Sequence, residues 1–169
     1  MSQGDHRAQS PASAAIRCFV LTISDTRTDE TDTGGRLAVD LLTAGGFTVA
    51  AKRIVRDEPD EVRRVVAERV ASGEVDVVVT TGGTGIATRD TTYEAISALL
   101  DKRLDGFGEL FRMLSYEEIG PAAMLSRACA GVVGRAIVVA LPGSPGAVRL
   151  ALTKLLVPEL PHMVGQVRR

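Results

Sequence analysis

Apolar residues along the chain follow two periods, and the changes between them mark the secondary structure. Residues 16–23 form an apolar β-rich run, and apolar residues then recur at helical spacing over 37–42 until two glycines stop the pattern. Residues 47–55 repeat the strand pattern, and Pro59 stands near the first position of a second helix. Residues 75–80 are nearly continuously apolar, which is typical of a central parallel strand. The order so far is βαβαβ.

The second half of the chain continues the alternation. Thr91 and Glu94 have the spacing of a capping box at a helix start, and apolar residues recur at helical spacing over 107–114. Residues 129–141 form a further β region that Gly131 and Gly134 interrupt.

A last helix is predicted from residue 148, and Pro158 and Pro161 are expected to break or kink it. Alternating strands and helices with short turns predict an α/β fold, a three-layer α/β/α sandwich on a mainly parallel sheet. The 169 residues suit one domain, which we place at residues 16–169. Residues 1–15 are small and polar, and they predict a flexible tail.

Composition excludes several classes of protein. Apolar residues make up 45% of the chain and charged residues 24%, as in soluble globular proteins. A formal charge of −1 gives no basic excess for a nucleic acid partner, and no apolar run could span a membrane or serve as a secretory signal. We therefore expect a cytoplasmic protein. Cys18 and Cys129 stand in apolar stretches without metal-ligand spacing, so both are predicted to be core residues.

The glycine-rich segment after the third predicted strand is the first candidate for chemistry. Residues 81–85 read TGGTG, which combines three glycines with two hydroxyl donors at the end of a buried strand. Glycines let backbone N–H groups approach an anion, so the segment suits phosphate, although a tight turn that needs positive φ explains glycines equally well. The P-loop motif and a GxGxxG after the first strand are both missing, which disfavours Walker-type ATP hydrolysis and dinucleotide redox chemistry.

Two aspartates, Asp57 and Asp90, follow different predicted strands and could meet in one crevice at the carboxyl edge of the sheet. A pair of carboxylates there would suit Mg²⁺ carried by a polyphosphate. Each aspartate could instead cap the helix that follows it. Asp25 is a further candidate because it comes directly after the first strand, and Ser126, Arg127 and Ser144 could bind anions or serve as caps and surface residues.

Several motifs in fixed order carry a resemblance that goes beyond spacing. They are Ile23-Ser24-Asp25, Asp57-Glu58, Thr80-Thr81-Gly82-Gly83-Thr84-Gly85, Arg89-Asp90, Gly106-Phe107-Gly108-Glu109, Ser126-Arg127 and Leu141-Pro142-Gly143-Ser144-Pro145. Together they resemble the molybdopterin-binding family of molybdenum cofactor biosynthesis, nearest its bacterial MoaB/MogA type, over residues 16–165. One departure is Tyr93, which stands where many relatives have proline.

The resemblance implies a Rossmann-like molybdopterin-binding fold assembled as homotrimers or hexamers. It also implies an adenylyltransferase that moves AMP from Mg-ATP, its co-substrate, to the terminal phosphate of molybdopterin and releases diphosphate. A molybdenum-insertion enzyme of the pathway is a further implied partner.

By the same resemblance, Asp57 and Asp90 are the catalytic residues and hold Mg²⁺. The residues implied to bind molybdopterin or nucleotide are Ser24, Asp25, Thr81, Gly82, Gly83, Thr84, Gly85, Glu94, Gly106, Phe107, Gly108, Glu109, Ser126, Arg127, Pro142, Gly143 and Ser144.

Two other functions remain open from the sequence. The first is a non-catalytic molybdopterin-binding or carrier protein that keeps the pocket without turning over ATP; retention of both aspartates favours the enzyme over it. The second is a nucleotide-processing domain that resembles the competence-damage family, whose usual additional domain this chain lacks.

Overall fold

The structure is a computed structural model that describes residues 10–169. Within these residues, six strands form one sheet at the centre of the molecule. The strands are β1 (Arg17–Ile23), β2 (Thr48–Val55), β3 (Val77–Thr81), β4 (Lys102–Arg103), β5 (Cys129–Val133) and β6 (Ala136–Leu141). They lie in the order β2-β1-β3-β6-β5-β4. The pairs β1–β2, β1–β3 and β3–β6 are parallel, and β5 pairs antiparallel with both β6 and β4. The sheet is therefore mainly parallel, as predicted.

In the described part of the chain, six α-helices cover the two faces of this sheet. They are α1 (Thr33–Ala44), α2 (Pro59–Ala71), α3 (Thr92–Ser97), α4 (Asp105–Ile119), α5 (Pro145–Ala151) and α6 (Val157–Val167). Short 3₁₀ segments lie at Ser13–Ala15 and Gly120–Leu125, and a π-helical segment, Leu152–Leu156, joins α5 to α6.

Successive residues of the central strands pack into two separate apolar clusters. Val20 lies in a cluster with α1, α4, α5 and α6, whereas its neighbours Phe19 and Leu21 lie in a cluster with α2 and α3. This alternation follows from the two-residue period of a strand. Because full burial of a Val, Leu or Phe side chain contributes about 1.5–3 kcal/mol, both faces stabilise the sheet. The three-layer α/β/α sandwich is confirmed.

The predicted β region at 129–141 is a hairpin formed by β5 and β6. Gly134 occupies its turn with φ +56°, a conformation that glycine adopts without strain. Gly131 lies within β5, where a Cβ would come 2.3 Å from the carbonyl oxygen of Lys102 in β4. Glycine at this position thus lets the short edge strand β4 pair with β5, a strand that the sequence pattern did not reveal.

The predicted capping box is wrong, and of the break or kink predicted for the last helix, the break does not occur. Thr91 is the N-cap residue of α3, but its side chain does not cap the helix, and Glu94 pairs with Arg127 instead of completing a capping box. The last helix is not broken at Pro158 or Pro161, because α6 runs through both from the preceding π-helical segment. The wider π turn provides the irregularity expected near a proline.

Other predictions concern the ends and the cysteines. Cys18 and Cys129 are both buried and unpaired, as predicted, and burial raises the pKa of Cys18 to about 12 with a further contribution from the charge of Asp76.

Residues 1–9 of the predicted tail lie outside the described residues. Ser13–Ala15 form a 3₁₀ turn, and the hydroxyl of Thr48 donates to the carbonyl of Ala14. Within residues 10–169, no helix is long and apolar enough to cross a membrane.

A buried carboxylate, Asp32, anchors the loop between β1 and α1. It accepts hydrogen bonds from Thr22 Oγ1 (2.7 Å), from the N–H of Gly35 (2.9 Å), which it caps, and from Lys52 Nζ (2.7 Å). Burial acts to raise the pKa of Asp32, but the hydrogen bonds from Lys52, Thr22 and Gly35 outweigh it and hold that pKa below its usual range. Asp29, the second partner of Lys52, is 88% exposed against 3% for Asp32.

We expect Asp32→Asn to lower the free energy of unfolding by about 2–3 kcal/mol, because asparagine keeps the helix cap but leaves the Lys52 ammonium poorly paired. The control Asp29→Asn should cost less than about 1 kcal/mol, as exposed pairs do. Urea unfolding measures both changes. Since folding lowers the pKa of Asp32, the stabilisation is present above the pKa of the unfolded chain and is lost as the pH falls through the folded value. Equal effects of the two substitutions would contradict this account.

Candidate functional site

Loops at the carboxyl ends of the parallel strands β1, β2, β3 and β6 form one crevice. Thr22 of β1 lies in register with Thr81 of β3, which in turn lies in register with Leu141 of β6, so the three strands end at the same level. The N–H of Gly82 donates to the carbonyl of Leu141, and the N–H of Ser24 donates to that of Val55. We use "the crevice" for the site formed by residues 24–32, 56–58, 82–91 and 142–144.

The glycine-rich segment forms the floor of the crevice and is built by close backbone approaches. Gly82 and Gly83 have φ values of +99° and +67°. A Cβ at Gly82 would lie 2.2 Å from the carbonyl oxygen of Ile23, and a Cβ at Gly143 would lie 3.3 Å from the Cα of Gly82. Three loops can meet only because these positions carry no side chain. The glycines therefore form the tight turn with positive φ that was one explanation of them.

The same segment also carries backbone N–H groups that are available as hydrogen-bond donors. Within residues 10–169, the N–H groups of Gly83, Thr84 and Gly85 make no hydrogen bond to the protein. Successive N–H groups around a residue with positive φ form a concave donor set that suits an anion. The turn and the phosphate-binding explanations are therefore compatible, because one backbone conformation serves both.

Asp57 lies beside this donor set and does not cap α2, whose N-cap residue is Glu58. Its Oδ1 accepts a hydrogen bond of 2.9 Å from Thr91 Oγ1, and its Oδ2 lies 2.6 Å from the position of a Cβ at Gly83. Burial is the main cause that raises the pKa of Asp57 above its usual range. The hydrogen bonds from Thr91 act to lower it, and the negative charges of Asp25 and Asp90 raise it further.

Asp90 and Asp25 complete a group of three carboxylates around the glycines. Asp90 Oδ2 accepts from the N–H of Ala87 (2.8 Å) and lies 2.6 Å from the position of a Cβ at Gly85. Asp25 accepts from Arg89 at 3.0 and 3.1 Å and from the N–H of Asp57 at 3.2 Å. The hydrogen bond from Arg89 is the main cause that lowers the pKa of Asp25. Asp90 thus closes its own loop instead of capping α3.

The carboxylate oxygens of the crevice are consistent with binding of a hard divalent cation. Asp57 and Asp90 supply carboxylate oxygens, the ligand type that Mg²⁺ prefers, and burial, with a smaller contribution from the charges of Asp25 and Asp90, disfavours the charged form of Asp57. Residues 10–169 contain no group of three or more His, Cys, Asp or Glu side chains placed to hold a metal by themselves. A cation in the crevice would therefore share its coordination with bound phosphate and water.

Arg127 and Glu94 lie at the back of the glycine-rich loop. The Arg127 guanidinium donates to the carbonyls of Thr84, Gly85 and Asp90, and it forms an ion pair with Glu94. Both residues were expected to bind substrate. In the structure, Arg127 binds the loop and Glu94 binds Arg127.

The predicted serines differ in their surroundings. Ser24 Oγ accepts from the N–H groups of Thr26 and Arg27, and Ser144 Oγ accepts from the N–H of Ala147 as the N-cap of α5. Ser126 Oγ is buried and, among the described residues, has no hydrogen-bond partner. Ser126, Pro142 and Ser144 line a cavity of about 170 Å³ beside Phe111 and Ser115 of α4, next to the crevice.

The segment Gly106–Glu109 lies in the first turn of α4, away from the glycines of the crevice. Phe107 is buried and stacks on Phe111 with ring centroids 6.2 Å apart. Gly108 and Glu109 line a separate cavity of about 260 Å³ with Tyr93, Arg103 and Arg112. The segment therefore lines a cavity separate from the crevice, at the edge of the sheet where β4 ends and β5 begins.

Three residues of the crevice were missed or misread from the sequence. Arg89 joins Asp25 to Glu58, Thr91 binds Asp57, and the Thr92 hydroxyl is fully buried 2.1 Å from the position of a Cβ at Gly83. Thr91 carried a signal, but it was the signal of a capping box. Arg89 was visible only as part of the Arg89-Asp90 motif.

We expect Gly83→Ala to lower the free energy of unfolding by about 2 kcal/mol or more, because alanine is strained at φ +67° and its Cβ would displace Thr92 and Asp57. Gly106→Ala is the matched control, since a Cβ there meets nothing within 4 Å in the first turn of a helix. It should be neutral or stabilise by up to about 1 kcal/mol. Urea unfolding compares them, and a neutral Gly83→Ala would refute the close approach.

Comparisons with known proteins agree with this geometry. Residues 19–162 match the family model described as "Probable molybdopterin binding domain". Molybdenum cofactor biosynthesis protein B of Bacillus cereus is 51% identical over 170 aligned positions, which cover 100% of this chain and 99% of the relative.

Two solved structures are similar over nearly the whole chain. A crystal structure of a molybdenum cofactor biosynthesis protein B has a TM-score of 0.90 at 52% identity and covers 94% of this chain and 99% of its own. The tungsten cofactor synthesizing protein MoaB of Pyrococcus furiosus has a TM-score of 0.83 at 38% identity and covers 94% and 100%. The chain belongs to the molybdopterin-binding family of molybdenum cofactor biosynthesis, in its MoaB/MogA branch.

Proposed function

We propose that the protein transfers AMP from Mg-ATP to the terminal phosphate of molybdopterin. The observation that carries the proposal is the juxtaposition of unused N–H donors at Gly83–Gly85 with the carboxylates of Asp57 and Asp90. Family membership supports the pathway and the molybdopterin domain. The crevice supports the choice of an anionic, cation-dependent group transfer within that pathway.

The reaction needs positioning and charge neutralisation more than a strong base. A phosphate oxygen of molybdopterin would attack the α-phosphorus of ATP, a new P–O bond would form, and the bond to the bridging oxygen of diphosphate would break. The phosphate monoester is already an anionic nucleophile, so no protein group has to remove a proton from it. This agrees with a crevice that contains glycines, aspartates and arginines but no histidine or lysine.

Each part of the crevice has a distinct task in this proposal. The N–H groups of Gly83, Thr84 and Gly85 would stabilise the charge that develops on the transferred phosphoryl group. Asp57 and Asp90 would hold Mg²⁺, which would screen the repulsion between the two anionic reactants. Thr91 orients Asp57 through its 2.9 Å hydrogen bond, and Arg89 pairs with Asp25 and Glu58.

We expect Asp57→Asn and Asp90→Asn each to lower kcat for adenylyl transfer by about 10²–10³-fold, because each keeps volume but removes a charge from the proposed cation site. Asp60→Asn is the matched control, since Asp60 lies in the first turn of α2 and pairs with Arg63. The assay incubates protein, molybdopterin, Mg²⁺ and ATP and measures adenylylated molybdopterin and diphosphate. Undiminished turnover in both variants would contradict the assigned roles. Molybdopterin binding without product in the wild type would identify a carrier instead.

We further propose that the protein assembles as a homotrimer or hexamer. Large apolar side chains are exposed along α4 and the 3₁₀ segment that follows it, in the set Leu110, Met113, Tyr116, Ile119, Met124 and Leu125. This apolar strip adjoins a cavity of about 820 Å³ that Phe107, Leu110 and Met163 line. A contiguous exposed apolar surface of this kind is typical of a protein interface.

Sedimentation equilibrium is expected to give the mass of three or six chains. Met113→Glu should dissociate the assembly, because Met113 is 54% exposed in the middle of the apolar strip. Ala67→Glu, an apolar-to-acidic change on the exposed side of α2, is the control and should leave the mass unchanged. A monomeric wild type at micromolar concentration would refute the assembly.

A further inference from the structure

The Arg127 guanidinium donates its hydrogen bonds to groups of the protein itself. Its Nε donates to the carbonyls of Thr84 (3.3 Å) and Gly85 (2.9 Å), and its Nη2 donates to those of Gly85 (2.5 Å) and Asp90 (3.0 Å). Its Nη1 forms the ion pair with Glu94. One side chain thus binds both ends of the loop that carries the unused N–H groups and Asp90.

These contacts determine which way the loop N–H groups point. In a trans peptide, the C=O of one residue and the N–H of the next point in opposite directions. The carbonyl of Thr84 is drawn towards Arg127, so the N–H of Gly85 points away from it. In the same way, the carbonyl of Asp90 binds Arg127, so the N–H of Thr91 points away from Arg127, and the Thr91 hydroxyl binds the Asp57 carboxylate. Arg127 is therefore one peptide group away from both the donor set and Thr91, the residue that binds Asp57.

Tyr93 holds the plane of this guanidinium. The Arg127 Cζ lies 5.2 Å from the centroid of the Tyr93 ring, and the Arg103 Cζ lies 5.7 Å from it. Arg103 Nη2 also donates to the Tyr93 hydroxyl at 2.9 Å. A cation over an aromatic face is attracted by the ring quadrupole, and a planar guanidinium stacks on it readily. The ring thus adds a contact to Arg127 besides those with Glu94 and the loop carbonyls.

We propose that Arg127 is a positioning residue that turns the N–H groups of the glycine-rich loop towards the substrate phosphates, and that Tyr93 holds Arg127 in the required plane. The kinetic part rests on the proposed adenylyl transfer, whereas the conformational part concerns the free protein. The assignment differs from a substrate-binding role, because Arg127 acts through the backbone of residues 84–91.

Hydrogen–deuterium exchange of the free protein tests the conformational part without any assay of function. Arg127→Gln is expected to speed amide exchange by about tenfold or more at Ala87 and Asp90, whose N–H groups are hydrogen-bonded within this loop, while β6 and α6 keep their protection. Arg135→Gln is the matched control, since Arg135 also donates to a backbone carbonyl, that of Arg168, at the opposite end of the sheet. Unchanged exchange in residues 83–91 would overturn the proposal even if wild-type protein had no transferase activity.

Steady-state kinetics test the functional part. Arg127→Gln should lower kcat by about 10- to 100-fold with little change in the KM for ATP or molybdopterin, and Arg127→Lys should recover part of the loss. Tyr93→Leu should lower kcat by about 3- to 10-fold, whereas Tyr93→Phe keeps the ring and should stay within about twofold.

A double substitution separates support from direct action. If Tyr93 acts through Arg127, Tyr93→Leu should have no further effect in an Arg127→Gln background. Additive effects would overturn the role given to Tyr93. A rise in KM with unchanged kcat and unchanged exchange in Arg127→Gln would show direct substrate binding and overturn the role given to Arg127.

Discussion

The close packing of backbone at Gly82 and Gly83 is the constraint on which the rest of the site depends. The turn after β3 approaches the carbonyl of Ile23 on one side, and Thr92 and Asp57 on the other, at distances that leave no room for a Cβ. The positive φ values that make this possible also expose successive N–H groups. The positive φ values at Gly82 and Gly83 therefore let the loops pack together and leave N–H groups exposed to an anion.

The charges around this turn are arranged by the fold. The parallel strands β1, β2 and β3 end at one edge, so the loops that follow them bring Asp25, Asp57 and Asp90 within electrostatic range of one another. Arg89 neutralises part of this charge from the solvent side, and Arg127 supports the loop from behind. At the other end of the sheet, Asp76 is paired with Arg17 and Arg168. Its position at the amino ends of the strands keeps it away from the crevice.

The sequence predicted the layers and the main site residues because their signals are local. Periodicity revealed three strands, the β region that forms the β5–β6 hairpin, and the helices between them, and motif order located Asp57, Asp90 and the glycines. It could not reveal β4, a pair of residues that forms a strand only because Gly131 lets it approach β5. It also could not show that Gly106–Glu109 lies apart from the crevice, or that Thr91, Glu94 and Arg127 serve tertiary contacts. Their partners are up to 43 residues away in the chain, a distance over which no local pattern carries information.

The most direct test of the central claim is the ¹H–¹⁵N spectrum of the protein during titration with Mg²⁺ and a non-hydrolysable ATP analogue. The account predicts that the amide signals of Gly83, Thr84 and Gly85 shift together as hydrogen bonds to phosphate form. Replacing Mg²⁺ by Mn²⁺ should broaden signals around Asp57 and Asp90 first. Shifts and broadening confined to the cavity that Arg103, Glu109 and Arg112 line, with the glycine signals unmoved, would contradict it.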